Sequence, residues 1–99
     1  MTSLSSPLSL DWPQDLQLTN CVQALERFEP LVAKALVPGQ PLHCSLATWQ
    51  RVDTGALAVL LSLRRLARRA KAQLQFCDVP RDLLALARVS QVDRLLGLQ

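Results

Sequence analysis

The run Arg51-Val52-Asp53-Thr54-Gly55-Ala56-Leu57-Ala58-Val59-Leu60-Leu61 constrains this chain more than any other stretch. A short turn of polar and small residues delivers directly into a long apolar segment with helical spacing. A helix that starts there carries a threonine hydroxyl in its first turn. The first backbone N–H groups of a helix lack intrahelical acceptors, and the macrodipole adds partial positive charge. Such a hydroxyl suits an anion, a phosphoryl group or a partner's backbone, so the turn reads as a docking or switching point.

The helix predicted over Thr54 to Lys71 advances about 100° per residue and divides into two sides. Ala56, Val59, Leu60, Leu63, Leu66, Ala67 and Ala70 share one side, which is expected to pack on a sheet. Thr54, Leu57, Leu61, Arg64, Arg65 and Arg68 share the other, so two leucines lie on a face rich in arginine and continuous with the threonine. That face reads as a partner surface. Each leucine would contribute about 1.5–3 kcal/mol if fully desolvated, and arginine adds charge-assisted hydrogen bonds to carboxylates. The plainer alternative is a solvated face, because single surface leucines are common and a helix C-terminus favours cations.

The remaining chain alternates short strand-like and helical segments. Leu8 to Trp12 and Leu16 to Thr19 predict two strands separated by a turn at Pro13 and Gln14. Asn20 predicts the cap of a helix whose apolar face carries Val22, Leu25, Phe28, Leu31 or Val32, and Ala35. Pro30 removes one N–H and crowds the carbonyl of Glu26, so a kink or break is expected there. Pro38-Gly39-Gln40-Pro41 ends that element, and Leu42 to Leu46 predicts a buried strand leading to the Asp53-Thr54-Gly55 turn. A strand over Gln73 to Cys77 follows the long helix. Pro80 is placed as the first residue of a helix to about Arg88, and Ser90 and Asp93 are spaced as a capping box for a last turn. Strands interleaved with helices predict an α/β layer with a mostly buried sheet. At 99 residues and 49% apolar content the chain holds one small domain, expected over 8–99 after a flexible Ser/Pro-rich tail at 1–7.

Several function classes find little support. Three widely spaced cysteines, Cys21, Cys44 and Cys77, fit neither a disulfide framework nor a zinc site, and point to a reducing cytosol. Cys44 and Cys77 are expected as core thiols in neighbouring strands. The N-terminus lacks a basic segment followed by an apolar core, and no stretch reaches 18 apolar residues, so secretion and membrane spanning are not expected. His43, the only histidine, lies inside a strand without triad order or metal-ligand spacing. No catalytic residue, cofactor or metal is expected, and no glycine-rich phosphate loop occurs. The net charge of +3 is concentrated in Arg64 to Lys71, without the interleaved aromatics of a nucleic-acid surface. Trp49 precedes the motif and reads either as a rigid partner anchor or as a residue closing the sheet edge, and Trp12 as a packing residue.

Arg51-Val52-Asp53-Thr54-Gly55, followed by Leu57-Ala58 and an apolar helix, resembles the central motif of STAS domains, in particular the MlaB-like branch. The resemblance continues through the Leu74 to Cys77 strand, the Val79-Pro80 turn, the Leu83 to Val89 helix and Leu95-Leu96. It implies a single small STAS-like domain, with a sheet of about four strands flanked by helices. It also implies a non-enzymatic accessory subunit of an Mla-type phospholipid ABC transporter, which maintains outer-membrane lipid asymmetry. The implied partner is the MlaF-like ATPase subunit within a larger inner-membrane complex. The chain itself would be cytoplasmic, peripheral to the membrane and not inserted in it. Trp49, Asp53, Thr54, Gly55, Leu57, Leu61, Arg64, Arg65 and Arg68 are the expected partner-binding residues. The sequence departs from the family pattern where Ala56 replaces a frequent second glycine, where Ser45 replaces a strand-end aspartate, and in an abbreviated first hairpin. The alternative is an anti-sigma-factor antagonist switched by phosphorylation of Thr54, whose added charge beside Asp53 would disrupt an apolar interface.

Overall fold

The computed structural model describes residues 12 and 14–98. The expected tail at 1–7 and nearly all of the expected Leu8 to Trp12 strand lie outside the described residues. The elements follow in the order β1 (Asp15–Leu16), α1 (Cys21–Ala35), β2 (Pro41–Ser45), β3 (Arg51–Val52), α2 (Thr54–Arg69), β4 (Gln73–Cys77), α3 (Arg81–Val89) and α4 (Asp93–Leu96). All pairing is parallel. β1 lies beside β3 through Asp15↔Arg51 and Leu16↔Val52, and β2 lies beside β4 from Pro41↔Gln73 to Ser45↔Cys77. The described residues thus form two two-stranded sheets in place of one sheet of about four strands. The strand expected over Leu16 to Thr19 is cut short because the Gln17 carbonyl accepts the N–H groups of Asn20 and Cys21, turning the chain into α1.

The core forms where helices cover one face of the β2–β4 pair. Cys44, Leu74 and Phe76 are buried on it, while Gln73 and Gln75 alternate outward, as the two-residue strand period requires. The predicted sheet-facing side of α2 is buried at Ala56, Val59, Leu60, Leu63 and Ala67, and partly buried at Leu66 and Ala70. In α1 the buried stripe is Cys21, Ala24, Phe28 and Val32. Of the expected stripe, Phe28 and Val32 are buried, the latter in place of Leu31, Leu25 and Ala35 are partly buried, and Val22 is exposed. The helix is turned so that Phe28 meets Trp12, with ring centroids 4.4 Å apart, and Arg27 lies over the outer face of the Phe28 ring.

Pro30 does not break α1, which is helical without interruption from Cys21 to Ala35. Glu29, Pro30 and Leu31 are exposed, so the Glu26 carbonyl that proline leaves unpaired is on the wet side, while Phe28 and Val32 hold the helix down on either side. Three caps also differ from expectation. The Asn20 side chain leaves α1 uncapped and binds the loop before it, accepting from the Gln17 N–H at 2.9 Å and donating to the Asp15 carbonyl at 2.7 Å. Pro80 occupies the N-cap of α3 and not its first turn. Ser90 closes the C-terminus of α3, so it cannot cap α4, which starts after Val92 without a side-chain cap.

Cys44 is fully buried and Cys77 half-buried on the adjacent strand. Burial, followed by the neighbouring Cys77, pushes the Cys44 thiol from 9.0 up to about 11. The nearby Trp12 indole offsets part of this without closing a hydrogen bond. The folded protein therefore keeps a proton that the unfolded chain releases above pH 9. This contribution to stability is complete below pH 9 and is lost as pH rises towards 11, at about 1.4 kcal/mol per pH unit. Urea melts at stepped pH should show that decline, and Cys44→Ala should flatten most of it.

Candidate partner-binding site

Asp53 organises the start of α2. Its backbone is extended, and its Oδ1 accepts the Gly55 N–H at 2.7 Å, one of the donors a helix start leaves unpaired. Its Oδ2 accepts the Leu18 N–H at 3.2 Å, 35 residues away in sequence. One carboxylate therefore caps α2 and fastens the β1–α1 loop against it. Because Asp53 is the cap, the Thr54 hydroxyl is free of that duty, and Thr54 stands exposed in the first turn.

Gly55 makes the close approach sterically feasible. A Cβ at this position would fall 2.5 Å from the Gln17 carbonyl carbon and from the Leu18 nitrogen, so the loop backbone occupies the space a side chain would take. Asp53 and Gly55 are thus positioning residues that hold the loop and the helix start in one surface. That surface carries two apolar residues the sequence pattern did not assign to it. Leu18 is 64% exposed and Val22, the second residue of α1, is 62% exposed. Leu18 belongs to the alternating run expected as a strand but lies in the turn before α1, and Val22 fits a core stripe by spacing alone. The Asp53 bond, the β1–β3 pairing and the space left by Gly55, all contacts between distant segments, hold Leu18 at the start of α2.

Two expected contact residues are enclosed instead. Trp49 is 1% exposed and packs edge-on against Trp12, with ring centroids 5.2 Å apart. Leu57 is 5% exposed, because α1 packs along α2 and encloses the first half of that helix on more than its sheet-facing side.

The arginines form a separate region. Thr54 and Arg68 are 14 positions apart on one helix, about 21 Å at 1.5 Å per residue. Arg64 turns back to donate from Nη1 to the Leu74 carbonyl at 2.8 Å. Half-buried Leu61 and exposed Arg65 and Arg68 border the same cleft of about 440 Å³. The face expected to be continuous is therefore divided into a Thr54 end and an arginine end.

At the ends of β2 and β4, Ser45 Oγ donates to Asp78 Oδ2 at 2.8 Å and accepts the Ala47 N–H. The carboxylate missing from position 45 is thus supplied by the neighbouring chain segment, and Asp78 reaches it from a left-handed backbone at φ 55°. Burial and the Asp78 charge hold the Cys77 thiol above its ordinary range.

A parallel α/β core, the Asp53-Thr54-Gly55 helix start and the two terminal helices agree with the STAS architecture. No curated protein matches the chain. Residues 15–97 match the family described as Mlab, STAS domain, which spans every element from β1 to α4. STAS domains are generally non-enzymatic binding and regulatory modules that commonly mediate protein–protein interaction. The chain belongs to the STAS domain family, within its MlaB-like group.

Proposed function

We propose that the chain is a non-enzymatic accessory subunit that binds the cytosolic ATPase of an Mla-type phospholipid ABC transporter and supports its assembly and activity. The observation that carries this reading is the composite surface at the start of α2, where Asp53 holds exposed Leu18 against the turn that carries exposed Thr54, with exposed Val22 in the first turn of α1 that follows the same loop. Such a patch combines a small polar group with apolar anchors, which favours a protein partner over a metabolite. Complete desolvation of Leu18 and Val22 would contribute about 1.5–3 kcal/mol each. No helix among the described residues is long and apolar enough to cross a membrane, so association with the inner membrane would run through the ATPase.

Binding of the purified ATPase by calorimetry tests the reading. Thr54→Arg and Leu18→Arg should each weaken binding by about 100-fold, since either buries an unpaired guanidinium in the contact. Both should leave the urea midpoint unchanged. Leu31→Arg, at an exposed position later in α1, should leave both intact. Undiminished affinity in the first two variants would reject this surface. The anti-sigma-factor antagonist reading requires phosphate on Thr54. That phosphate would face the Asp53 carboxylate, which is already committed to two backbone N–H groups.

A further inference from the structure

We propose that the cleft between the C-terminal half of α2 and the outer edge of β4 takes an extended acidic peptide segment of a partner protein, which adds to β4 as a further parallel or antiparallel strand. This goes beyond docking at Thr54 and uses the other end of α2.

Three features carry it. Among the described residues β4 pairs with β2 alone. The Gln73 N–H donates to the Gln40 carbonyl and the Cys77 carbonyl accepts the Leu46 N–H, so the odd positions of β4 bond to the β2 side. Successive residues of a strand direct their backbone groups to opposite edges, so the N–H and C=O groups of Leu74 and Phe76 face outward. One of these is occupied by a side chain: the Leu74 carbonyl accepts from Arg64 Nη1 at 2.8 Å, where the N–H of an adjoining strand would donate.

Beside that edge lies the cleft of about 440 Å³. Arg64, Arg65 and Arg68 supply three guanidinium groups to its border, and none of its lining residues is acidic. Leu61 and exposed Leu95 give it apolar ground between the charges. An incoming strand with alternating carboxylate and apolar residues matches both, and its carboxylate would pair with Arg64 as its N–H replaces Arg64 on the Leu74 carbonyl.

The test is titration of the ¹⁵N-labelled full chain with a synthetic peptide of about eight residues alternating glutamate and valine, followed by NMR and amide exchange. The Leu74 and Phe76 amides should shift and become protected. Arg65→Glu with Arg68→Glu, both at exposed positions, should weaken binding by at least about tenfold without changing the fold, and added salt should weaken it as well. Thr54→Arg should leave peptide binding unaltered, which separates this surface from the ATPase contact. The proposal is overturned if the peptide does not bind, if a lysine–valine peptide binds equally, or if inorganic phosphate alone produces the same shifts. Shifts centred on Leu18 and Thr54 would overturn it too.

Discussion

Replacing Trp49 by alanine is expected to destabilise the domain by about 3–5 kcal/mol, the range for deleting a large aromatic from a packed core. Total stabilities of single domains are commonly about 5–15 kcal/mol, so much of the variant should be unfolded well before the wild type in urea. The side chain is 1% exposed and edge-on to Trp12, which in turn stacks obliquely on Phe28. Loss of Trp49 would leave a void at the junction of the β1 segment, α1 and the loop before β3. Its indole N–H and that of Trp12 are buried without a partner. Trp49→Phe removes the same unsatisfied donor while keeping an aromatic ring in the site, so it should cost less than the alanine variant, and about 1–2 kcal/mol less than its own loss of volume alone would predict. Urea midpoints by circular dichroism, at constant m, measure both. A Trp49→Ala protein of native stability that no longer bound its partner would instead make Trp49 a contact residue.

Gly55→Ala should destabilise by about 2–3 kcal/mol, although alanine is the better helix former by about 1 kcal/mol. The added Cβ would meet backbone of Gln17 and Leu18 at 2.5 Å, and backbone cannot swing aside as a side-chain tip can. Relief requires that the loop move away from α2. That movement would stretch the bond from the Leu18 N–H to Asp53 and displace Leu18, so affinity for the ATPase should fall with stability. Gly39→Ala gives the contrast: φ is +78° but no atom lies within 4 Å of the new Cβ, so only the strain of a left-handed alanine, about 1–2 kcal/mol, is expected. If Gly55→Ala proved neutral, the loop would not be seated against the helix start.

What the sequence disclosed follows from the range of the forces involved. α2 and β4 were legible because their patterns are local: helical spacing over sixteen residues, and alternation across Gln73 to Cys77 that the pleat converts into buried Leu74 and Phe76. The start of α2 was legible in its position, but the division of labour within it was not. Thr54 stood out by chemistry, whereas the cap is Asp53, whose second oxygen serves a loop 35 residues away. In α1 the spacing locates Phe28 and Val32 on the buried stripe but not its first residue, because Val22 and Cys21 are both apolar and only the docking of Phe28 on Trp12 decides between them. Pro30 leaves α1 intact for a related reason, since the cost of a helical proline depends on whether the orphaned carbonyl is wet. The proposed binding region combines residues from a turn, α1 and α2. No single-segment period encodes such a surface, and the enclosure of Trp49 and Leu57 is likewise a tertiary outcome.

The surface around Thr54 is proposed to bind a transporter ATPase. The most direct measurement is recovery of the tagged chain from membranes and cytosol of its own host, with partners identified by mass spectrometry, for the wild type and Thr54→Arg side by side. The wild type should be recovered stoichiometrically with an ABC-type ATPase and with unmodified Thr54, and the variant should lose that partner. Recovery of a soluble kinase-like partner with phosphate on Thr54, or an ATPase retained by Thr54→Arg, would contradict that proposal.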